Sequence, residues 1–176
     1  MNPRADDQAN ASNGVGVPRW VALILAPLLW LVAIPLAHGV IPWAISSLTR
    51  RCGWTGGRPG IWNLSGLIPV AFGAALLIWV LVVGLGQTPK RVKLGLTPSF
   101  LMMRGPYSFT RNPMYVAYLG IWLGWALFWG SIGVLAAAVV LGAVVSFVIV
   151  PREEHTLEAI LGQSYVQYKN RTPRWF

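Results

Sequence analysis

The sequence predicts an all-α integral membrane bundle of about four transmembrane helices with a C-terminal amphipathic helix. Composition is the first observation behind that prediction: 55% of the 176 residues are hydrophobic and 11% are charged, where a soluble domain carries about 25% charged residues. The second is the placement of acids. Asp6 and Asp7 lie near the start and Glu153, Glu154 and Glu158 near the end, so the 145 residues from Gln8 to Arg152 hold no carboxylate side chain. The third is the alternation of long uncharged runs with short basic loops. Too little polar surface is left to cover a water-soluble globule, and disorder, a coiled coil or a soluble enzyme fits poorly.

The elements follow in order. Residues 1–18, rich in Asn, Ala, Gly and Ser without apolar period, read as a flexible N-terminal tail. Trp20 to Ala37 is the first span, interrupted by Pro27 and Pro35. Two Asp in the preceding segment, the length of the run and the lack of a clean small-x-small site argue against a signal peptide. Ile41 to Ile45 stays weakly apolar before Arg50, Arg51 and Arg58 mark a Gly-rich loop, and Ile61 to Gly86 is the second span.

The run from Met114 to Val150 is 37 residues without a charge. One helix of that length would reach roughly 55 Å, against a hydrocarbon core of about 30 Å. Gly130-Ser131, just after Trp125, Phe128 and Trp129, suits an interfacial turn. The expectation is a tight hairpin of Met114 to Trp129 and Ile132 to Val150. Beyond it, Leu157, Ile160, Leu161, Tyr165 and Tyr168 recur at helical spacing and predict one amphipathic helix from Glu154 onward.

Four spans put the tail, the stretch Gln87 to Pro113 and the C-terminus on one side. That side collects Arg4, Arg19, Lys90, Arg91, Lys93, Arg104, Arg111, Arg152, Lys169, Arg171 and Arg174, eleven of the 14 basic residues, and leaves three opposite. By the positive-inside rule both termini are cytoplasmic, in a multi-pass protein of a membrane such as the inner membrane of a prokaryote. The net charge of +9 thus reads as sidedness rather than as a nucleic-acid footprint. Lys90 to Lys93 would meet anionic headgroups. A single Cys52 with His38 and His155 offers neither a disulfide framework nor a metal centre.

All candidate chemistry is then cytoplasmic, in two clusters that the hairpin brings together. Arg104 to Tyr115 supplies bases and aromatics, and Arg152 to Tyr168 supplies the carboxylate pair Glu153-Glu154. A membrane-entry loop, with Arg104 and Arg111 snorkelling and Tyr107 and Tyr115 in the aromatic belt, accounts for the first cluster taken alone. A helix start, with both Glu complementing its dipole, accounts for the second. Neither explains adjacent carboxylates at the mouth of a hairpin in a chain so short of acids.

The order Gly105-Pro106-Tyr107, Arg111-Asn112-Pro113-Met114-Tyr115, Glu153-Glu154-x-x-Leu157, Gly162-x-x-Tyr165-x-x-Tyr168 and Pro173 resembles the cofactor-binding half of the isoprenylcysteine carboxyl methyltransferase and phospholipid methyltransferase families, over roughly residues 101 to 173. The resemblance implies S-adenosylmethionine (SAM) bound between hairpin and C-terminal helix, with a lipophilic acceptor from the bilayer. It marks Tyr107, Arg111, Asn112, Pro113, Tyr115, Glu153, Glu154, Tyr165 and Tyr168 as the cofactor shell, and Arg111 and Glu153 as the residues closest to catalysis. SAM's carboxylate would suit Arg111, its ammonium and ribose hydroxyls Glu153 and Glu154, and its sulfonium tyrosine faces.

Three positions depart from the pattern: Asn112 replaces His, Ala117 replaces Gly, and Leu161 replaces Phe. Gly84-Leu85-Gly86 could allow close approach of a cofactor or simply end a helix. Residues 19–100 would form the acceptor side and 101–176 the cofactor half. The acceptor could be a prenylcysteine carboxylate, a phospholipid amine or a small thiol. An NADPH-dependent sterol or enone reductase and a non-catalytic lipid-binding protein are the competing readings. The first usually has a longer chain and more polar residues for the 2′-phosphate; the second leaves Arg111 and the Glu pair without a ligand.

Overall fold

The computed structural model describes residues 16–87, 91–93 and 101–176, and these are mostly helical. Strand β1 (Gly16–Pro18) leads into α1 (Arg19–Pro35), a π-helical turn (Leu36–Val40) and α2 (Ile41–Ser47). A small hairpin of β2 (Trp54–Thr55) and β3 (Arg58–Pro59) precedes a single turn α3 (Ile61–Leu64) and the long α4 (Leu67–Gln87). Strand β4 (Arg91–Lys93) pairs antiparallel with β1. Then come a 3-10 turn (Gly105–Ser108), α5 (Pro113–Trp129), α6 (Ile132–Val144), a second π-helical turn (Val145–Ile149), α7 (Val150–Leu161) and α8 (Gln163–Arg171).

Among the described residues two helical stretches are long and apolar enough to cross a membrane, Ile61–Gln87 and Ile132–Leu161; Leu31–Ser47 and Pro113–Trp129 are shorter apolar helices. Large apolar side chains cover outward faces of these helices: Ile68, Ile78 and Val82 on α4 and Ile132 and Val139 on α6 are all exposed. A helix apolar around its whole circumference yet not packed by protein matches a lipid environment.

Small residues set the closest packing. A Cβ on Gly73 of α4 would lie 2.6 Å from the carbonyl oxygen of Ala117 on α5, and one on Gly124 of α5 would lie 2.7 Å from that of Gly66. Backbones at such range exclude side chains, the usual device where lipid supplies no hydrophobic drive between helices. Leu77, Ala117 and Ile121 bury themselves in this seam. Ala117, which departs from the family glycine, is fully buried there and faces Gly73. On the other face of α5, Trp122 and Ala126 pack with Val134 and Ala138 of α6. The α5–α6 connection is Gly130-Ser131, as the sequence predicts, with Gly130 left-handed at φ 56° and the Ser131 hydroxyl accepting from the Val134 N–H.

Four expectations require correction. The first apolar helix does not stop at Ala37 but runs through the π turn to Ser47. Similarly, the helix from Ile132 does not stop near Val150; it passes through a π turn and continues to Leu161. In both places the π turn ends two residues before a proline, Pro42 or Pro151. Proline lacks an N–H and crowds the carbonyl four residues back, and a widened turn relieves that crowding without breaking the helix. At Pro42 the freed carbonyl is that of His38, and the indole N–H of Trp125 fills it at 2.6 Å. The predicted C-terminal amphipathic helix is instead divided into α7 and α8 by Gly162, whose φ of 55° a helix cannot continue through. Finally, Gly16–Pro18, assigned to the flexible tail, pair with Arg91–Lys93; residues 1–15 and Lys90 lie outside the described residues.

Candidate functional site

The end of the bundle opposite Gly130 holds a cleft of about 220 Å³. Its walls come from the segment before α5, the first turn of α5, the first turns of α7, and α8. All nine residues expected to form a cofactor shell line it: Tyr107, Arg111, Asn112, Pro113, Tyr115, Glu153, Glu154, Tyr165 and Tyr168. Leu101, Met102, Met114 and Leu157 complete the lining. The forty residues between the two clusters are the hairpin, and its closure is what makes them neighbours.

Local structure explains the motif from the bottom up. Gly105 takes φ 65°, and a Cβ there would press on Val83 of α4, so the Gly105-Pro106-Tyr107 turn lies flat against that helix. Pro106 is buried in the turn, and the Tyr107 carbonyl accepts the Tyr168 hydroxyl at 2.7 Å. Pro113 opens α5 at its first position, where a missing N–H costs nothing, and is itself fully buried. Asn112 precedes it, and its side-chain amide donates to the Arg174 carbonyl at 2.9 Å. The Thr110 hydroxyl donates to the same carbonyl, and the Arg111 N–H donates to the Pro173 carbonyl. Asn112 thus fixes the C-terminal segment against the cleft by hydrogen bonds that need no titration.

The two carboxylates have different surroundings. Glu154 is buried and lies on two guanidinium groups: Arg111 Nη2 at 3.2 Å from Oε1, and Arg174 with Nε at 3.1 Å from Oε1 and Nη2 at 2.6 Å from Oε2. Glu153 is exposed and accepts the Tyr115 hydroxyl at 2.7 Å on Oε1. The Arg111 side chain is 9% exposed, yet its Nε and Nη1 have no hydrogen-bond partner. Buried donors without partners cost about 1–3 kcal/mol each, more when charged. A carboxylate entering the cleft would satisfy them.

Burial pushes the Tyr107 hydroxyl up to about 12, with Tyr118 and Glu153 adding to the rise. Burial likewise raises Tyr165 and Tyr168. These rings are therefore neutral at ordinary pH, able to present faces to a cation without carrying charge of their own. Glu158, on the outer side of α7, is held below the usual carboxylate range by its hydrogen bond to Lys169.

Arg174 is what sequence reasoning missed. It entered only as one of eleven basic residues, although it directly follows Pro173, the last residue of the motif. Leu101 and Met102 also carried no signal in the sequence. Gly84, Leu85 and Gly86 fall in the last turns of α4 rather than on the cleft lining, and a Cβ on Gly84 would make ordinary contact with Met102. Leu161 closes α7 ahead of Gly162.

An apolar helical bundle with a polar, aromatic-lined cleft at one end fits the class of membrane proteins. Residues 63–164 match the family described as phospholipid methyltransferase. The chain belongs to that family, and with it to the membrane methyltransferases. No curated protein matches it.

Proposed function

We propose that the protein binds SAM in the cleft at the Arg111 end and transfers its methyl group to a lipophilic acceptor entering from the bilayer. One observation carries the reading: two sequence segments forty residues apart form one cleft around a buried Arg111 whose Nε and Nη1 lack partners. Arg111 holds the carboxylate of the amino-acid moiety. Glu153, exposed and bonded on one oxygen only, receives the ammonium or ribose hydroxyls. Glu154 is already taken up by two guanidinium groups, those of Arg111 and Arg174. Tyr107, Tyr165 and Tyr168 line the place of the sulfonium.

SAM supplies an electrophilic methyl group whose transfer is an in-line displacement. The residues of the chain orient the partners and keep water away, which supplies most of the rate enhancement such a reaction needs. Arg111 and Glu153 orient the cofactor, and Tyr107, Tyr165 and Tyr168 stand nearest the reacting sulfonium.

The same reading assigns four membrane passes, with α1, α4, α5 and α6 as the passes and both termini cytoplasmic, supported by the eleven-to-three basic count. Residues 19–100 are the acceptor side. An apolar groove of about 610 Å³ lined by Ile24, Leu28, Leu31, Ala74, Leu77 and Ile78, between α1 and α4, suits the chain of a lipid acceptor. A phospholipid amine is the first acceptor to try, with a prenylcysteine carboxylate or small thiol behind it.

Calorimetric titration of detergent-purified protein tests the cofactor. SAM and S-adenosylhomocysteine should bind in the micromolar range; Arg111→Ala should weaken binding at least a hundredfold and Glu153→Gln about tenfold. Saturable NADPH binding with no heat from SAM would overturn the reading. Methyl-labelled SAM with a native lipid extract, followed by mass spectrometry, then identifies the acceptor.

A further inference from the structure

The Arg111 guanidinium and the Glu154 carboxylate are of opposite charge and sit 3.2 Å apart in a buried site. Left to themselves they would form a closed pair, and a closed pair has little to offer an incoming carboxylate. A second guanidinium restricts that pair to the single contact between Arg111 Nη2 and Glu154 Oε1. Arg174 donates through Nε to Oε1 and through Nη2 to Oε2, the two-point geometry that favours Arg over Lys on a carboxylate.

The backbone that carries Arg174 is itself fixed. Its carbonyl accepts from both Thr110 and Asn112, and the preceding Pro173 carbonyl accepts from the N–H of Arg111. Thr110, Asn112 and Thr172 are all buried. The C-terminal segment is thus built into the wall of the cleft, with Arg174 reaching in from its half-exposed edge.

We propose that Arg174 is a positioning residue that tunes the site for an anionic ligand group: by holding both oxygens of Glu154 it limits that carboxylate to one contact, with Arg111 Nη2, and leaves Nε and Nη1 of the buried Arg111 free to donate. The cluster of two guanidinium groups and one carboxylate carries one net positive charge. A ligand carboxylate completes it. This inference rests on the SAM reading, since it concerns the amino-acid end of that ligand.

The test is calorimetric titration of the full-length protein in detergent with two probes, S-adenosylhomocysteine and its decarboxylated analogue, which lacks only the carboxylate. Wild type should prefer the first. Arg174→Gln should weaken S-adenosylhomocysteine at least tenfold and change the decarboxylated probe by less than threefold, and Arg174→Lys should fall between. Adding Glu154→Gln to Arg174→Gln removes the competing carboxylate and should recover most of the lost affinity. Equal losses for both probes, or no recovery in the double variant, would overturn the proposal and leave Arg174 a structural tether. Should the double variant misfold, the ratio of the two probes in Arg174→Gln decides alone. Failure of wild type to bind either probe is a different outcome: it overturns the SAM reading and the proposal with it.

Discussion

The two ends of the bundle are made of the same materials and finished differently. At the Gly130 end, Arg51 lies over the Trp129 ring at 4.2 Å and also donates to Ser46. Asn63, nearly fully buried, accepts from the Gly60 N–H and donates to the carbonyls of Cys52 and Leu127. The Trp54 indole donates to the Phe128 carbonyl, and the hydroxyls of Thr49 and Ser131 bond at 2.6 Å. At the Arg111 end, arginine, aromatics and carboxylates also meet, but two donors of a buried guanidinium have no partner. The first end is a closed knot of satisfied groups. The second is open, with Nε and Nη1 of Arg111 left unpartnered.

That contrast predicts where substitutions hurt stability and where they hurt binding. The largest stability loss should come at Gly130, whose left-handed backbone disfavours any side chain and whose Cβ would collide with the Cys52 carbonyl. Gly130→Ala should cost about 3 kcal/mol, combining αL strain and a backbone shift, read as a drop in thermal unfolding temperature in detergent. Asn63→Ala, which takes the Asn63 partner from the Cys52 carbonyl and a second partner from the Gly60 N–H and the Leu127 carbonyl, should cost about 2 kcal/mol. In both variants that remain folded, affinity for S-adenosylhomocysteine should stay within about threefold of wild type, the scatter expected for distant independent sites. A tenfold affinity loss in Asn63→Ala would break the separation of the two ends.

The last effect is confined to alkaline pH. Tyr107 keeps its proton in the folded chain up to about 12, against an ordinary value of 10.0, so between those values the unfolded chain ionises while the folded one does not. The stability it contributes is complete below pH 10 and is lost as pH rises toward 12. Tyr107→Phe should flatten that part of a stability-against-pH curve and leave the region from pH 6 to 9 unchanged. An equal slope in the variant would mean that other groups govern the alkaline loss.

Legibility in the sequence followed the range of the interaction. The hairpin was readable because 37 uncharged residues exceed one membrane thickness and Gly130-Ser131 stands near their middle. The meeting of the two polar clusters followed from that hairpin. Helix ends were read less well, because Pro42 and Pro151 signal interruption locally while the π turns before them let each helix continue. The division of the C-terminal helix depended on the conformation of Gly162, since its sequence period runs unbroken from Leu157 to Tyr168.

By itself the sequence determined an all-α class rich in apolar helices, its hairpin and the residues that line one cleft. Each of these is a matter of composition, spacing or chain length, and so is written along the chain. Only the tertiary structure decided how the charges pair. Glu153 and Glu154 are adjacent in sequence, yet one meets a tyrosine hydroxyl at an exposed rim and the other is buried between Arg111 and Arg174. Successive residues on a helix point about 100° apart, and which partner each then finds depends on segments folded in from elsewhere.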